Sequence, residues 1–199
     1  MTKVVAHITT SLDGYVAGPD DGPGCGLGVG GERLHYWVFG GPWSYEQEPT
    51  GAATGVDREL LDAALADTGA VVVGRAMYEA AGAWGGANPW GLPLFVVTHR
   101  PEEQPPAEQG FTFVDGFEAA LDRAREVAGG KNVSIGGGAD VIGQALAGDH
   151  LDELGVSIAP VVLGGGRRLF DGVDKTVVLE APEVVESPWV THLRYRIVR

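Results

Sequence analysis

Five stretches of the 199-residue chain carry residues able to meet an anion or a small polar substrate. In VSIGGGADVIGQAL, residues 133–146, the glycines Gly136, Gly137 and Gly138 stand between a β-type run and apolar residues at helical spacing. Backbone without Cβ atoms lets a phosphate reach main-chain N–H groups, and the positive end of the following helix attracts it. A tight turn with close strand–helix packing needs the same glycines. Asp140 suits an N-cap in either case. The spacing fits neither G-x-G-x-x-G nor a P-loop.

Two further stretches put basic residues directly after apolar runs. GRAMYE follows AVVV and contributes Arg75; THR ends LFVVTHR and contributes Thr98, His99 and Arg100. Ligands of open α/β sheets bind outside the carboxyl ends of strands, and an arginine fork suits a phosphate monoester. The same arginines also suit helix caps or ion pairs with some of the 27 acids. The fourth stretch, TTSLDGYVAG, leaves the first apolar run with Thr9, Ser11 and Asp13. Asp-Gly is a turn signal; alternatively these groups point into a cleft, where Asp13 offers a polar contact or a proton. GGERLHYW adds Glu32 and His35, read either as an acid in an aromatic pocket or as a solvated helix start. The five histidines show no metal-ligand spacing, and no G-x-S-x-G elbow is present, so no metal and no serine nucleophile are proposed.

Short β-branched runs that can carry these residues occur at 4–8, 70–74, 94–98, 111–114, 132–136, 154–164, 176–181 and 191–198. Helical patterns lie between several of them. DRELLDAALADTG aligns Leu60, Leu61, Ala64 and Leu65, FEAALDRAREVAGG aligns Phe117, Leu121, Ala124 and Val127, and DVIGQALAGDHL forms a third. This alternation predicts an α/β fold: a single domain over 1–199 with a central, mostly parallel twisted sheet, an antiparallel C-terminal edge, and helices on both faces. Residues 18–56, rich in Gly, Pro and Trp, show no clear period and read as a long functional or mobile loop.

Composition narrows the function classes. Fourteen basic against 27 acidic residues leave a net charge of −13, which argues against nucleic acid and anionic membrane surfaces as partners. The one cysteine, Cys25, excludes an internal disulfide and fits a cytoplasmic location. No apolar run approaches membrane-spanning length.

SLDGYVAG, VVVGRAMYE, LFVVTHRP, VSIGGGADVIGQAL and LDELGVSIAPVVLGGGRRLF, in this order, resemble the dihydrofolate reductase-like superfamily. Within it, the chain resembles the reductase domain of bacterial riboflavin biosynthesis and its stand-alone relatives, from about residue 3 to 198. The resemblance implies NADPH as cofactor. Gly136, Gly137, Gly138, Ala139 and Asp140 would lie beside the pyrophosphate, Gly74 and Arg75 against the phosphates, and Thr98, His99 and Arg100 around the 2′-phosphate. Ile8, Thr9, Val16 and Ala17 would meet the nicotinamide, with Ser11 and Asp13 on the substrate side. It also implies a homodimer.

The expected function is hydride transfer from NADPH to a C=N or C=O of a small polar, heterocyclic substrate. Asp13 or Glu32 would orient the substrate or relay a proton. Two rivals are a non-enzymatic NADPH-binding or redox-sensing module and a flavin reductase.

Overall fold

The computed structural model describes residues 2–47 and 49–199. The chain runs through β1 (Val4–Ser11), β2 (Tyr15–Ala17), a 3-10 turn (Gly31–His35), the one-turn α1 (Tyr36–Phe39), α2 (Gly55–Asp67), β3 (Thr68–Gly74) and α3 (Arg75–Ala80). It continues with β4 (Leu94–Thr98), β5 (Phe111–Asp115), α4 (Phe117–Val127), β6 (Asn132–Gly137) and α5 (Ala139–Ala147). β7 (Glu153–Ala159), β8 (Arg167–Arg168), β9 (Glu183–Glu186) and β10 (Thr191–Arg196) complete it. Eight strands form one sheet in the order β5-β4-β3-β6-β1-β7-β10-β9. From β5 to β7 all neighbours are parallel, and β10 and β9 pair antiparallel at one edge, as the run pattern predicts. β2 and β8 form a separate two-stranded ribbon.

Strand alternation divides the core. Ala70 and Val72 of β3 join Val4, Ala6, Val133 and Ile135 beneath α4 and α5. Val71 and Val73 point to the opposite face, where Met77 and Tyr78 of α3 pack with Trp84 and Trp90. A strand covered on both sides has no polar face, which is why β3 reads as an unbroken valine run. α4 buries Phe117, Ala120, Leu121 and Ala124; Val127, predicted on that face, is exposed, because the inward stripe passes from Ala124 to Ala128 instead. α2 departs further from expectation. Leu60 and Leu65 are exposed, and its one fully buried side chain is Asp57.

Two strand expectations need correction. The run 154–164 ends as a strand at Ala159, before Pro160, which has no N–H to donate to a ladder. Beyond it, the carbonyl of Val161 accepts from the N–H of Leu12 at 2.8 Å and holds the segment over the β1–β2 turn. The run 176–181 supplies only a bridge between Leu179 and Ile197. The free edge of β10 is taken instead by β9, its neighbour in sequence, through a turn in which Ser187 N–H bonds the Val190 carbonyl at 3.0 Å. Residues 18–56 contain the 3-10 turn and α1; Leu34 is fully buried against Ala159 and Val190, so part of this stretch is packed. Among the described residues no helix is long and apolar enough to cross a membrane.

Candidate active site

The carboxyl ends of β4, β3 and β6 lie side by side, and a cavity of about 240 Å³ opens there. It brings together Gly74, Arg75, Thr98, His99, Arg100 and Asp140. Gly116 and Phe117, at the start of α4, line it as well and were not anticipated. α4 and α5 begin at Gly116 and Gly138, neither with a side-chain cap. The first-turn N–H groups of two helices are therefore left for solvent or a ligand, and both positive helix ends border one cavity. Asp140 is not the N-cap expected of it. It lies in the first turn of α5 and accepts a hydrogen bond from Gln144 Nε2 at 2.9 Å.

The bare backbone has two explanations, divided among the glycines. A Cβ on Gly74 would press to 2.8 Å from Val141 Cγ2, so close strand–helix packing accounts for that position. Gly136 would meet Val73 at 3.2 Å, and Gly137, at φ +121°, would meet Met77 Sδ at 3.1 Å and Ile8 Cδ1 at 3.4 Å. Gly138, joined to Gly137 by a cis peptide bond, has no atom within 4 Å of its Cβ position. No protein atom demands its bareness. Gly136, Gly137 and Gly138 do not line the cavity themselves; Gly138 caps the helix whose first turn does, and the fit to a dinucleotide rests on the two uncapped helix ends and the cavity between them.

Both arginines are engaged by acids. Arg75 Nε lies 2.7 Å from Glu79 Oε1, and its Nη2 lies 2.5 Å from Glu103 Oε2. Arg100 reaches the same two carboxylates, Glu103 Oε1 at 3.0 Å and Glu79 Oε1 at 3.3 Å. Arg75 also lies over the Phe113 ring at 4.9 Å, and its Nη1 is buried without a hydrogen-bond partner. Thr98 is buried and accepts from the Arg100 N–H at 3.0 Å, which sets the direction of the chain leaving β4. His99 is 95% exposed, with Asp115 at 3.5 Å.

The groups at the end of β1 are mostly committed to the fold. Thr9 accepts from Trp37 Nε1 at 3.0 Å, and Ser11 accepts from the Tyr15 N–H at 2.9 Å. Both are buried. Asp13 accepts from the backbone N–H groups of Leu163 at 3.1 Å and Gly164 at 2.8 Å. Hydrogen bonds from Ser11 and these amides hold its carboxyl down at about 2. A carboxylate so held is ionised at neutral pH, which argues against Asp13 as a proton donor. Ile8 is half-buried beside Gly137. Val16 and Ala17 are buried on β2, away from the 240 Å³ cavity. Glu32 is half-buried in the 3-10 turn. Its charge adds to a rise in the Tyr45 phenol pKa that burial mainly causes. Burial pushes the neighbouring His35 down to about 4.

A second polar constellation lies where the first turn of α2 meets β10. His192 of β10 places Nε2 2.8 Å from Asp57 Oδ1 and Nδ1 2.8 Å from Ser157 Oγ. Trp37 meets the His192 ring edge-on at 5.0 Å. His7, on the interior strand β1, is open to solvent, so the sheet is uncovered there. Its imidazole is nonetheless recessed, since desolvation lowers its pKa and Arg194 lowers it further. No sequence spacing announced this group, because Asp57 and His192 are 135 residues apart. Among the described residues no cluster of His, Cys, Asp and Glu could hold a metal ion.

A parallel sheet with an antiparallel edge, helices on both faces and a glycine-lined cavity at the strand ends defines the dihydrofolate reductase-like class. The chain belongs to the RibD C-terminal domain family, whose family model matches residues 2–188. It is 29% identical over 101 residues to the uncharacterised protein YwjB of Bacillus subtilis (strain 168), a match spanning 50% of this chain and 57% of that protein. A structure from Shewanella sp. PV-4, provisionally assigned to riboflavin biosynthesis, superposes with a TM-score of 0.69 at 24% identity, covering 100% of both chains. Dihydrofolate reductase from Enterococcus faecalis, complexed with NADP(H), gives a TM-score of 0.61 at 16% identity over 99% of this chain and 97% of its own. At these identities the two structures establish the fold.

Proposed function

We propose that the protein is an NADPH-dependent reductase acting on a C=N or C=O of a small polar, heterocyclic substrate. The observation that carries this reading is the cavity bounded by two uncapped helix N-termini, Gly74 and two arginines. Family membership and the fold support an oxidoreductase, and the NADP(H) complex of the Enterococcus reductase supports the choice of cofactor. NADPH would supply the hydride. Gly136, Gly137, Gly138 and Ala139 would border the pyrophosphate, with Asp140 close by. Gly74, Arg75, Thr98, His99 and Arg100 would hold the phosphates. Ile8, Thr9, Val16 and Ala17 would bound the nicotinamide, and Glu32 would orient the substrate.

Reduction of C=N or C=O also needs a proton. Asp13 and Ser11 shape the β1–β2 turn, and Asp13 is too acidic to donate. The hydrogen-bonded chain Asp57–His192–Ser157 is the candidate relay for that proton. A homodimer remains part of the proposal.

The test is a pair of titrations with NADPH and NADH, followed by quenching of the five tryptophans. NADPH is expected to bind more tightly than NADH. Failure of both to bind would overturn the reading. Binding without oxidation across a screen of imines, carbonyls and pterins would point to a non-enzymatic module.

A further inference from the structure

Arg75, Glu79, Arg100 and Glu103 form a closed ring in which each carboxylate touches both guanidinium groups. Two positive and two negative charges cancel, so the arginines at the cavity offer little net charge to an incoming anion. The two acids are held differently. Glu79 belongs to α3, one helical turn from Arg75. Glu103 ends a three-residue 3-10 turn, Pro101–Glu103, on the surface and is 40% exposed. Arg75, by contrast, is 19% exposed and fixed over Phe113. Its hydrogen bond is also the first cause of the lowered Glu103 pKa, so this carboxylate remains an anion at neutral pH.

We infer that Glu103 is a resident competitor for the anion that Arg75 and Arg100 would bind together, and so sets the discrimination between NADPH and NADH. The inference rests on the cofactor reading above. One Glu103 oxygen lies on each arginine, the bridging arrangement a phosphate would need for itself. A 2′-phosphate using both arginines must displace Glu103, and the short exposed turn is the part free to move. NADH has no group that makes this demand.

The experiment compares NADPH and NADH dissociation constants for the wild type, Glu103→Ala, Glu103→Gln and Glu102→Ala. Glu102 is exposed on the same turn and is outside the ring, so its variant reports the effect of one lost surface charge. Thermal unfolding without cofactor checks that each variant is folded. Glu103→Ala and Glu103→Gln are expected to tighten NADPH about tenfold, or 1.4 kcal/mol, and to leave NADH within about twofold, while Glu102→Ala changes the ratio little. Equal shifts for both cofactors, or weaker NADPH binding, would overturn the competitor role and leave the NADPH reading standing. No binding of either cofactor to any of the proteins would overturn both.

Discussion

Asp57, in the first turn of α2, holds His192 of β10 across 2.8 Å, and this contact joins the helix to the antiparallel edge of the sheet. Asp57 is 3% exposed, so its carboxylate depends on the imidazole for compensation. Asp57→Asn should lower unfolding free energy by about 1–3 kcal/mol, at roughly 2–4 °C in Tm per kcal/mol for a chain of this size. If the chain to Ser157 also carries the proton, turnover should fall with a displaced pH profile while NADPH affinity holds. Loss of stability with an unaltered pH profile would make the contact purely architectural.

Arg100 is more exposed than Arg75 and is not stacked on an aromatic ring of the core, so its removal should leave the fold intact. Arg100→Ala is expected to weaken NADPH several-fold more than NADH, in parallel titrations at fixed ionic strength. An equal loss for both would remove the 2′-phosphate from this position.

At Gly138 a Cβ meets nothing, and φ is −84°. Gly138→Ala should therefore change the thermal midpoint little, yet weaken both cofactors strongly if a pyrophosphate lies against this backbone. Gly74→Ala, facing Val141 at 2.8 Å, should instead destabilise the protein itself. Differential scanning calorimetry beside the titrations separates the two effects.

The low pKa of Asp13, about 2 against an ordinary 3.8, is a statement about stability. A group depressed on folding contributes stability that is present above its unfolded pKa and is lost as pH falls through the folded one. Asp13→Asn should thus be less stable than the wild type at pH 7. The gap should close between about pH 4 and pH 2. Urea midpoints across that window check this; a gap independent of pH would mean that the carboxylate charge does not matter to the turn.

Much of the frame was legible locally. Short β-branched apolar runs such as Val71–Val73 read as strands buried on both faces, and residues that follow such runs, Arg75 and Arg100 among them, emerge at one end of a parallel sheet. The cavity that gathers them with Asp140 follows from strand order. Side-chain commitment was not legible. Whether Asp13 faces a substrate or caps Leu163 and Gly164, 150 and 151 residues away, depends on how Pro160 turns the chain after β7. Residue type alone put hydroxyls and acids at the end of β1; packing consumed them.

The sequence by itself determined the central strands β1, β3, β4, β5 and β6, the helices between them, the parallel sheet they imply, and the bare backbone before α5, because these depend on period and on the absence of Cβ atoms. Only the tertiary structure decided that Arg75 and Arg100 share Glu79 and Glu103, and that Asp57, His192 and Ser157 form one hydrogen-bonded chain. Charge pairing and burial depend on distances between residues far apart in the chain, and no local pattern records those distances.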